Sequence, residues 1–384
     1  MSNKKVRIPF NRPYVTGEES CFLQDVLYRR HLKGDGYYTE KCSIFLQELI
    51  GCKRALLTTS CTSALELAAM LLDIKVGDEI IMPSFTFVST ANAFVLRGGI
   101  PVFVDIRNDT FNLDENKIIA AITKKTKAIC VVHYAGIPCN MEAIRRIALA
   151  YNLKIVEDAA QAFGSYYKGS PIGNLGDLVC FSFHETKNII AGEGGALIIN
   201  DPNLIEKAEI FREKGTNRTQ FIRGLSANYT WIDIGSSFLP SELVAAFLYS
   251  QLLNMQKIQK KRLCLYNKYR EIQTILPENV STQSIPVDII PNGHLFGLLF
   301  PDLDHRISFM DYMEEVGIHT AFHFIPLHNS PAGIKYTKTS GELSVTERIA
   351  SGWVRLPLYP ELQDSELTFI LDSCAEFLSQ GKHL

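Results

Sequence analysis

The sequence lacks an excess of charge of either sign. Its 384 residues include 39 Lys plus Arg and 41 Asp plus Glu, which gives a formal net charge of −2. This balance argues against a partner whose affinity depends on neutralising nucleic acid phosphates. No run of eighteen uncharged apolar residues could span a membrane, and no apolar segment follows the basic start of the chain, as a secretion signal requires. We therefore expect a cytoplasmic protein that binds neither nucleic acid nor membrane.

Paired cysteine motifs are missing as well. The nine cysteines (residues 21, 42, 52, 61, 130, 139, 180, 264 and 374) are odd in number and scattered, and they form no C-x-x-C pair. In a chain of this length we interpret them as buried, reduced thiols rather than as a disulfide framework. His184 and Glu185 begin the H-E-x-x-H zinc signature, but position 188 is Asn, so we predict no metal ligands there.

Short runs rich in Val and Ile alternate with helical patterns through the first two-thirds of the chain. Such alternation predicts an α/β fold with a mostly parallel buried sheet, whose ligand lies outside the carboxyl ends of the strands. Residues 241–276 contain neither Gly nor Pro, which predicts one or two long helices. We expect a large domain over residues 1–240, followed by those helices and a smaller C-terminal α+β domain over 241–384. The predicted strands are residues 55–58, 79–82, 101–104, 128–132, 154–157, 179–183 and 196–199.

Three features between residues 58 and 187 could carry chemistry. Four hydroxyl residues, at positions 59, 60, 62 and 63, follow a strand and open a helix, where they act either as a plain N-cap or as a phosphate site. Asp158 ends a strand, so its carboxylate is either functional or caps the next helix. Lys187 lies between an apolar strand and the Gly192–Gly195 turn. A lysine in that position is a candidate for an amine activated by desolvation.

This combination resembles fold type I pyridoxal-phosphate (PLP) enzymes, and more narrowly the DegT/DnrJ/StrS family of nucleotide-sugar aminotransferases. The resemblance covers nearly the whole chain. It implies a large domain with a mostly parallel seven-stranded sheet, bound PLP, and a homodimer with the active site at the subunit interface. The stretches that carry it are Pro83–Thr90, Val156–Gln161, Phe181–His184 with Lys187, Gly192–Ala196, His323–His328 and Leu356–Tyr359.

The resemblance also implies roles for individual residues. Lys187 forms the Schiff base with PLP and later moves a proton, while Asp158 pairs with the pyridinium nitrogen. Gln161 lies near the phenolic oxygen, and Phe87 stacks on the cofactor ring or is a plain core residue. The residues that match phosphate-binding positions are Thr62, Ser63 and Ser182.

One segment departs from the family pattern. Many members carry a Gly-x-Asn-x-Arg segment whose Asn reaches the cofactor phosphate of the partner subunit. Here the matching stretch is Gly235–Leu239, which places Ser237 at the Asn position with no Arg after it. The resemblance further suggests His328 as an active-site histidine of the small domain, or else a structural one. Arg12, Lys214 and Arg218 are candidates for holding a nucleotide diphosphate, although each could equally be a surface charge.

Within the family, five segments are most similar to members that make dTDP-4-amino-4,6-dideoxygalactose for enterobacterial common antigen or a lipopolysaccharide O-antigen. These segments are Gly34–Gly36, Leu71–Ile74, Ser89–Gly98, Glu213–Arg218 and Tyr229–Ser237. The implied reaction moves an amino group from L-glutamate to C4 of a dTDP-4-keto-6-deoxyhexose. Three alternatives stay open: a gluco-configured product, a PLP-dependent sugar dehydratase, and a non-catalytic regulator. The dehydratases of this scaffold replace the Schiff-base lysine with histidine, so Lys187 argues against that reading.

Overall fold

The computed structural model describes residues 7–379 of the chain, so the basic start at residues 1–6 lies outside the described residues. The helices are α1 (Glu19–Arg29), α2 (Tyr37–Ile50), α3 (Cys61–Leu71), α4 (Val88–Val95), α5 (Ile118–Ala121), α6 (Met141–Ala150), α7 (Ile205–Arg212), α8 (Arg218–Ile222), α9 (Glu242–Leu253), α10 (Met255–Arg270), α11 (Leu303–Glu315), α12 (Pro331–Tyr336), α13 (Ser344–Gly352) and α14 (Asp364–Ser379). The strands are β1 (Arg54–Thr58), β2 (Glu79–Pro83), β3 (Ile100–Val104), β4 (Thr126–Val132), β5 (Lys154–Asp158), β6 (Tyr166–Tyr167), β7 (Ser170–Pro171), β8 (Leu178–Ser182), β9 (Gly195–Ile199), β10 (Ile289–Ile290), β11 (Phe296–Leu299), β12 (Ala321–Phe322), β13 (Lys338–Thr339) and β14 (Trp353–Leu356).

The central sheet confirms the predicted α/β fold. Its strand order is β1-β9-β8-β5-β4-β2-β3-β13, and β9 runs antiparallel to both of its neighbours. Seven of these strands correspond to the seven predicted runs. The eighth, β13, is a two-residue strand from far along the chain that pairs with β3 at the sheet edge. Its residues are polar and exposed, which is why hydrophobic patterning did not reveal it.

Helices cover both faces of this sheet, because most of its strands carry apolar residues on each side. One buried cluster packs α2, α6 and α9 against one face, and a second packs α3, α4 and α7 against the other. The parallel strands β1, β2, β4, β5 and β8 end at one edge, and β9 begins there because it runs in the opposite direction. This edge is where a ligand site is expected in such folds.

The C-terminal part of the chain forms a second, smaller unit. The Gly- and Pro-free stretch is two helices, α9 and α10, which meet at Asn254. The sheet β11-β14-β12 packs with α10, α11 and α14 around its own apolar cluster, which Ile8 joins from the start of the described chain. A further cluster that includes Phe85, Tyr134 and Trp353 fills the junction between this unit and the central sheet.

All nine cysteines are unpaired, as expected. The prediction that they are buried is wrong for Cys21 and Cys264, which are exposed, and for Cys52, which is half-buried. Cys21 and Cys264 lie on the outward faces of α1 and α10, where helical spacing brings some apolar positions to solvent. Among residues 7–379, no helix is long and apolar enough to cross a membrane.

Candidate active site

A cavity of about 510 Å³ opens at the carboxyl edge of the central sheet, between the two units. That volume falls within the range of small-molecule sites. Its walls come from the end of β5, the end of β8, the start of α3 and, on the other side, from the small unit. Six of the predicted site residues line it, namely Thr62, Phe87, Asp158, Gln161, Ser182 and Lys187.

Lys187 places an amine in the wall of the cavity. It follows β8 in a tight loop, in which its own backbone N–H donates to the carbonyl of His184 at 2.9 Å. Within residues 7–379 the Lys187 amine makes no hydrogen bond or ion pair. Burial lowers the pKa of this amine, although nearby Cys61 and Asp158 raise it. A lysine held in this way is more readily neutral, which is the form that attacks a carbonyl carbon.

Asp158 supplies a buried carboxylate at the end of β5. Thr90 donates a hydrogen bond to its Oδ2 at 2.6 Å, and the backbone N–H of Ala160 donates to its Oδ1 at 3.1 Å. Burial raises the pKa of this carboxyl, while those two donors and Lys187 lower it. Each oxygen therefore keeps accepting capacity for a ligand. A cationic ligand group would be the strongest partner for a carboxylate in this environment.

The start of α3 forms a hydroxyl-rich wall. Ser60 is the N-cap, and its Oγ accepts from the backbone N–H of Ser63 at 3.1 Å. Thr62 donates to Ser89 at 2.8 Å, whereas the Ser63 hydroxyl is shared with Thr59 and Ser60 and does not line the cavity. The predicted alternatives of N-cap and phosphate site are thus compatible, because one hydroxyl caps the helix while the remaining free N–H groups of its first turn are available to an anion.

Gly195 allows this wall to approach the sheet. A Cβ on Gly195 would lie well inside van der Waals distance of the Ser60 and Cys61 backbone. The glycine at the start of β9 thus lets the first turn of α3 sit directly against the sheet edge. The Gly-rich turn is therefore a packing feature of the site rather than a nucleotide-binding loop.

Gln161 and Phe87 face the cavity in different ways. Gln161 accepts from the backbone N–H of Ala135 at 2.6 Å through Oε1, which leaves its NH₂ group for a ligand. Phe87 precedes α4, and the residue is 59% exposed. It is therefore not a core phenylalanine, and its ring is available for stacking. Its nearest aromatic neighbour is Phe324 from the small unit, with centroids 6.5 Å apart.

The structure places two predicted substrate residues away from the cavity. His328 is tied to Ser84 through Nδ1 at 2.7 Å and lies 3.3 Å from Glu347 through Nε2. This arrangement fastens the small unit to the end of β2, as expected of a structural histidine. Arg12 lies over the Tyr359 ring, with its guanidinium carbon 5.4 Å from the centroid.

Three more predicted residues share a separate concavity. Ser237, Lys214 and Arg218 line a cavity of about 430 Å³ near the start of α9. Lys214 and Arg218 each lie close to Glu213, at 3.2 and 3.5 Å. Within one chain, these residues therefore do not join Lys187 and Asp158.

The small unit contributes cavity residues that the sequence analysis missed. His294 and Arg262 are buried, and the Arg262 guanidinium donates to the backbone carbonyls of Gly293, His294 and Leu358. Arg355 and His323 complete this wall. Burial lowers the pKa of Arg355 to about 10. His323 begins the His323–His328 motif, and Arg355 directly precedes the Leu356–Tyr359 motif. Both lie 130 residues or more from Lys187 in sequence, and no spacing rule indicates which side chain of a motif faces the cavity.

These residues fit PLP by their chemistry. An amine without a partner suits its aldehyde, a buried carboxylate suits its ring nitrogen, a helix N-terminus with hydroxyls suits its phosphate, and an exposed ring suits its flat face. Lys187, Asp158, Thr62, Ser182, Gln161 and Phe87 are the side chains that would hold it. Among residues 7–379, no group of three or more His, Cys, Asp or Glu side chains is placed to bind a metal ion.

Comparison with known proteins places the chain in a family. Residues 14–374 match the DegT/DnrJ/EryC1/StrS aminotransferase family. An uncharacterized protein of Methanocaldococcus jannaschii is 34% identical, with 98% of each chain covered. GDP-perosamine synthase of Escherichia coli O157:H7 is 30% identical, with 97% of this chain and 99% of that protein covered. The crystal structure of DesV from S. venezuelae has a TM-score of 0.86 at 30% identity, over 94% of both chains.

The fold and these matches define a PLP-dependent transferase of fold type I. More particularly, the chain belongs to the DegT/DnrJ/EryC1/StrS family and is a sugar aminotransferase. Such an enzyme takes an amino donor and a nucleotide sugar as its substrates.

Proposed function

We propose that this enzyme transfers the amino group of L-glutamate to C4 of a dTDP-4-keto-6-deoxyhexose. The product is dTDP-4-amino-4,6-dideoxygalactose, made in the cytoplasm for a surface polysaccharide such as enterobacterial common antigen or a lipopolysaccharide O-antigen. One observation supports the aminotransferase chemistry above all others. The unpartnered, buried amine of Lys187 and the buried carboxylate of Asp158 line the same cavity. The choice of sugar is supported by the five sequence segments that resemble the galactose-forming members.

In this proposal PLP supplies an electron sink that makes the proton on the reacting carbon removable. Lys187 would hold the cofactor covalently and, once the substrate amine displaced it, would carry that proton. Asp158 would keep the ring nitrogen protonated, and the hydrogen bonds from Thr90 and Ala160 fix the carboxylate plane. Thr62 and Ser182 would bind the phosphate, Gln161 would donate to the phenolic oxygen, and Phe87 would cover the ring face.

The working unit is a homodimer in this proposal. Large apolar side chains are exposed on α1 and on the segment after α7, among them Tyr28 at 87%, Trp231 at 77% and Leu225 at 76%. Exposed apolar groups of this size favour a protein interface. In this proposal the same segment contributes Ser237, Lys214 and Arg218 to the partner's cavity, as the family resemblance implies for the position of Ser237. A species of twice the chain mass in light scattering supports this arrangement, and a monomeric active enzyme contradicts it.

The deciding experiment supplies the purified enzyme and L-glutamate with one keto-sugar at a time. The dTDP-, UDP- and GDP-linked 4-keto-6-deoxyhexoses form its three arms, the last because a relative is a GDP-perosamine synthase. We expect turnover with the dTDP sugar and an axial C4 amine in the product by NMR. An equatorial amine would assign the gluco product, and preferred turnover of the GDP or UDP sugar would overturn the dTDP assignment.

Two other functions predict different results. A dehydratase would release deoxygenated sugar without consuming glutamate, but Lys187 occupies the position at which such enzymes carry histidine. A regulator would not form the visible absorption band of lysine-bound PLP. The retained set of Lys187, Asp158 and Gln161 around one cavity favours the aminotransferase over both.

A further inference from the structure

A buried hydrogen-bond chain leads from the domain junction to His323 in the cavity wall. The indole N–H of Trp353 donates to the Tyr134 hydroxyl oxygen at 2.8 Å, and that oxygen lies 3.0 Å from His323 Nδ1. Trp353 and Tyr134 are fully buried. An indole nitrogen only donates, so the direction of the first bond is fixed.

The direction of the second bond follows from the first. The Tyr134 hydroxyl has one proton to donate, and within residues 7–379 its only other hydrogen-bond contact is the donating Trp353 indole. A buried hydroxyl without an acceptor would be costly, so Tyr134 donates to His323 Nδ1. That nitrogen is therefore unprotonated, and the proton of the neutral imidazole is on Nε2.

The surroundings of the ring keep it neutral and fixed in place. Burial, Arg355 and Lys187 all lower the pKa of His323, well below its usual range. The imidazole stacks on Phe324, with centroids 3.8 Å apart and planes inclined by 20°. Its Nε2 has no hydrogen-bond or ion-pair partner among the described residues, and the residue lines the cavity. A neutral N–H donor is thus presented to whatever occupies this side of the cavity.

We propose that His323 Nε2–H binds an acceptor oxygen of the substrate, and that Trp353 and Tyr134 are positioning residues that hold the proton on that nitrogen. The inference rests on the proposed function and extends it to a substrate contact. The oxygen belongs either to the carboxylate of the amino donor or to a hydroxyl or carbonyl of the hexose. Arg355 adjoins His323 and forms no ion pair within the described chain, and its Nε has no hydrogen-bond partner. Its free charge favours the carboxylate.

The test compares two substitutions of one residue in the holoenzyme. His323→Gln places an amide nitrogen near the Nε2 position, whereas the shorter His323→Asn reaches only the Nδ1 position. Loss of one hydrogen bond to the substrate should lower kcat/KM about 10- to 100-fold in His323→Asn. His323→Gln should recover activity to within about threefold of the wild type. Equal losses in both variants would show that the ring is needed only for packing and would overturn the proposal.

Single-turnover measurements of each half-reaction identify the source of the oxygen. Loss of the visible band with glutamate alone reports the donor half, and amination of the keto-sugar by the pre-aminated enzyme reports the other half. A selective loss in the donor half supports carboxylate binding, and one in the sugar half supports a hexose contact. His305→Asn, on the surface of α11 beside Asp302, is the control. The proposal is overturned if His323→Asn slows neither half-reaction more than His323→Gln does.

Nitrogen NMR of the imidazole gives a readout that does not depend on turnover. We expect His323 to show a protonated Nε2 and an unprotonated Nδ1 at pH 7 in the substrate-free holoenzyme. In Tyr134→Phe, which keeps the ring but lacks the hydroxyl, part of the population should shift to the Nδ1–H form. The opposite wild-type tautomer, or an imidazolium at pH 7, overturns the proposal. If the wild type turns over none of the keto-sugars, the proposed function fails while this tautomer result still stands.

Discussion

Replacing Asp158 by Asn should separate the stability of the protein from its activity. The substitution keeps the shape of the side chain and an oxygen that can accept from the backbone N–H of Ala160. It removes the negative charge that faces the cavity. The fold should persist, because Thr90 also contacts Thr86 at 2.8 Å and can reorient its hydroxyl within that pair.

The expected loss of rate follows from the burial of the carboxylate. Asp158 is 6% exposed, so water cannot replace its charge next to a cationic ring nitrogen. Removing one partner of a buried charge pair costs about 3–5 kcal/mol. At about 1.4 kcal/mol per tenfold change in rate, kcat should fall roughly 10²- to 10⁴-fold.

Stability should change in the opposite direction in the cofactor-free protein. Burial raises the pKa of Asp158 on folding. A carboxyl with a raised pKa in the folded state favours folding while protonated, and this contribution is lost as pH rises through the folded-state pKa. The Asn of Asp158→Asn does not titrate, so the cofactor-free variant should melt at a higher temperature than the cofactor-free wild type at pH 7. This difference in melting temperature should vanish below about pH 4, where Asp158 is protonated in both the folded and the unfolded state.

The assay pairs single-turnover kinetics with thermal melts of holo and cofactor-free protein. Thr90→Val is the matched control, because it removes one donor to Asp158 and leaves the charge; loss of one hydrogen bond should cost about tenfold or less. A variant Asp158→Asn with a rate within threefold of the wild type would refute the role given to the carboxylate. An unchanged melting temperature of the cofactor-free protein at every pH would refute the electrostatic reasoning.

Three further substitutions test other walls of the cavity. Lys187→Ala should abolish turnover and the borohydride-trapped mass increase of lysine-bound PLP while the fold is retained by circular dichroism; near-normal transamination would contradict its role. Gly195→Ala should lower the free energy of unfolding in urea by about 1–3 kcal/mol and weaken PLP binding, because its Cβ would clash with the Ser60 backbone. The neighbouring Gly194→Ala is the control and should lower the free energy of unfolding much less, because its Cβ would come no closer than 3.2 Å to a side chain. Phe87→Leu should weaken PLP binding measured by fluorescence titration with little change in melting temperature, because the ring is exposed; a large loss of stability would mean that it is a core residue.

The sequence was a good guide to the fold of the large unit, because its strands are buried on both faces and read as unbroken apolar runs. The short strand Lys338–Thr339 was missed, since two exposed polar residues leave no periodic signal. The break between the two long helices at Asn254 was also left open, because neither Gly nor Pro marks it. The domain limits at residues 240 and 241 stay a prediction.

The structure brings predicted site residues together where they follow the end of a strand. Asp158, Ser182 and Lys187 are placed by β5, β8 and the loop after it, so local pattern and topology together bring them to one edge. The opposite wall depends on how the small unit docks, which no local pattern encodes. Of the two histidines in the His323–His328 motif, only three-dimensional packing distinguishes the one in the cavity from the one that fastens Ser84.

The charges in the cavity predict that bound ligands stabilise the fold. Lys187 and Arg355 have no carboxylate partner within hydrogen-bonding distance in the described chain, and burial lowers the pKa of each. Burial likewise raises the pKa of Asp158. Each shift means that the folded, ligand-free protein holds a charge less favourably than the unfolded chain does. A cofactor with a ring cation and an amino donor with a carboxylate would supply the missing partners, so binding them should stabilise the fold by the same interactions that orient the reacting groups.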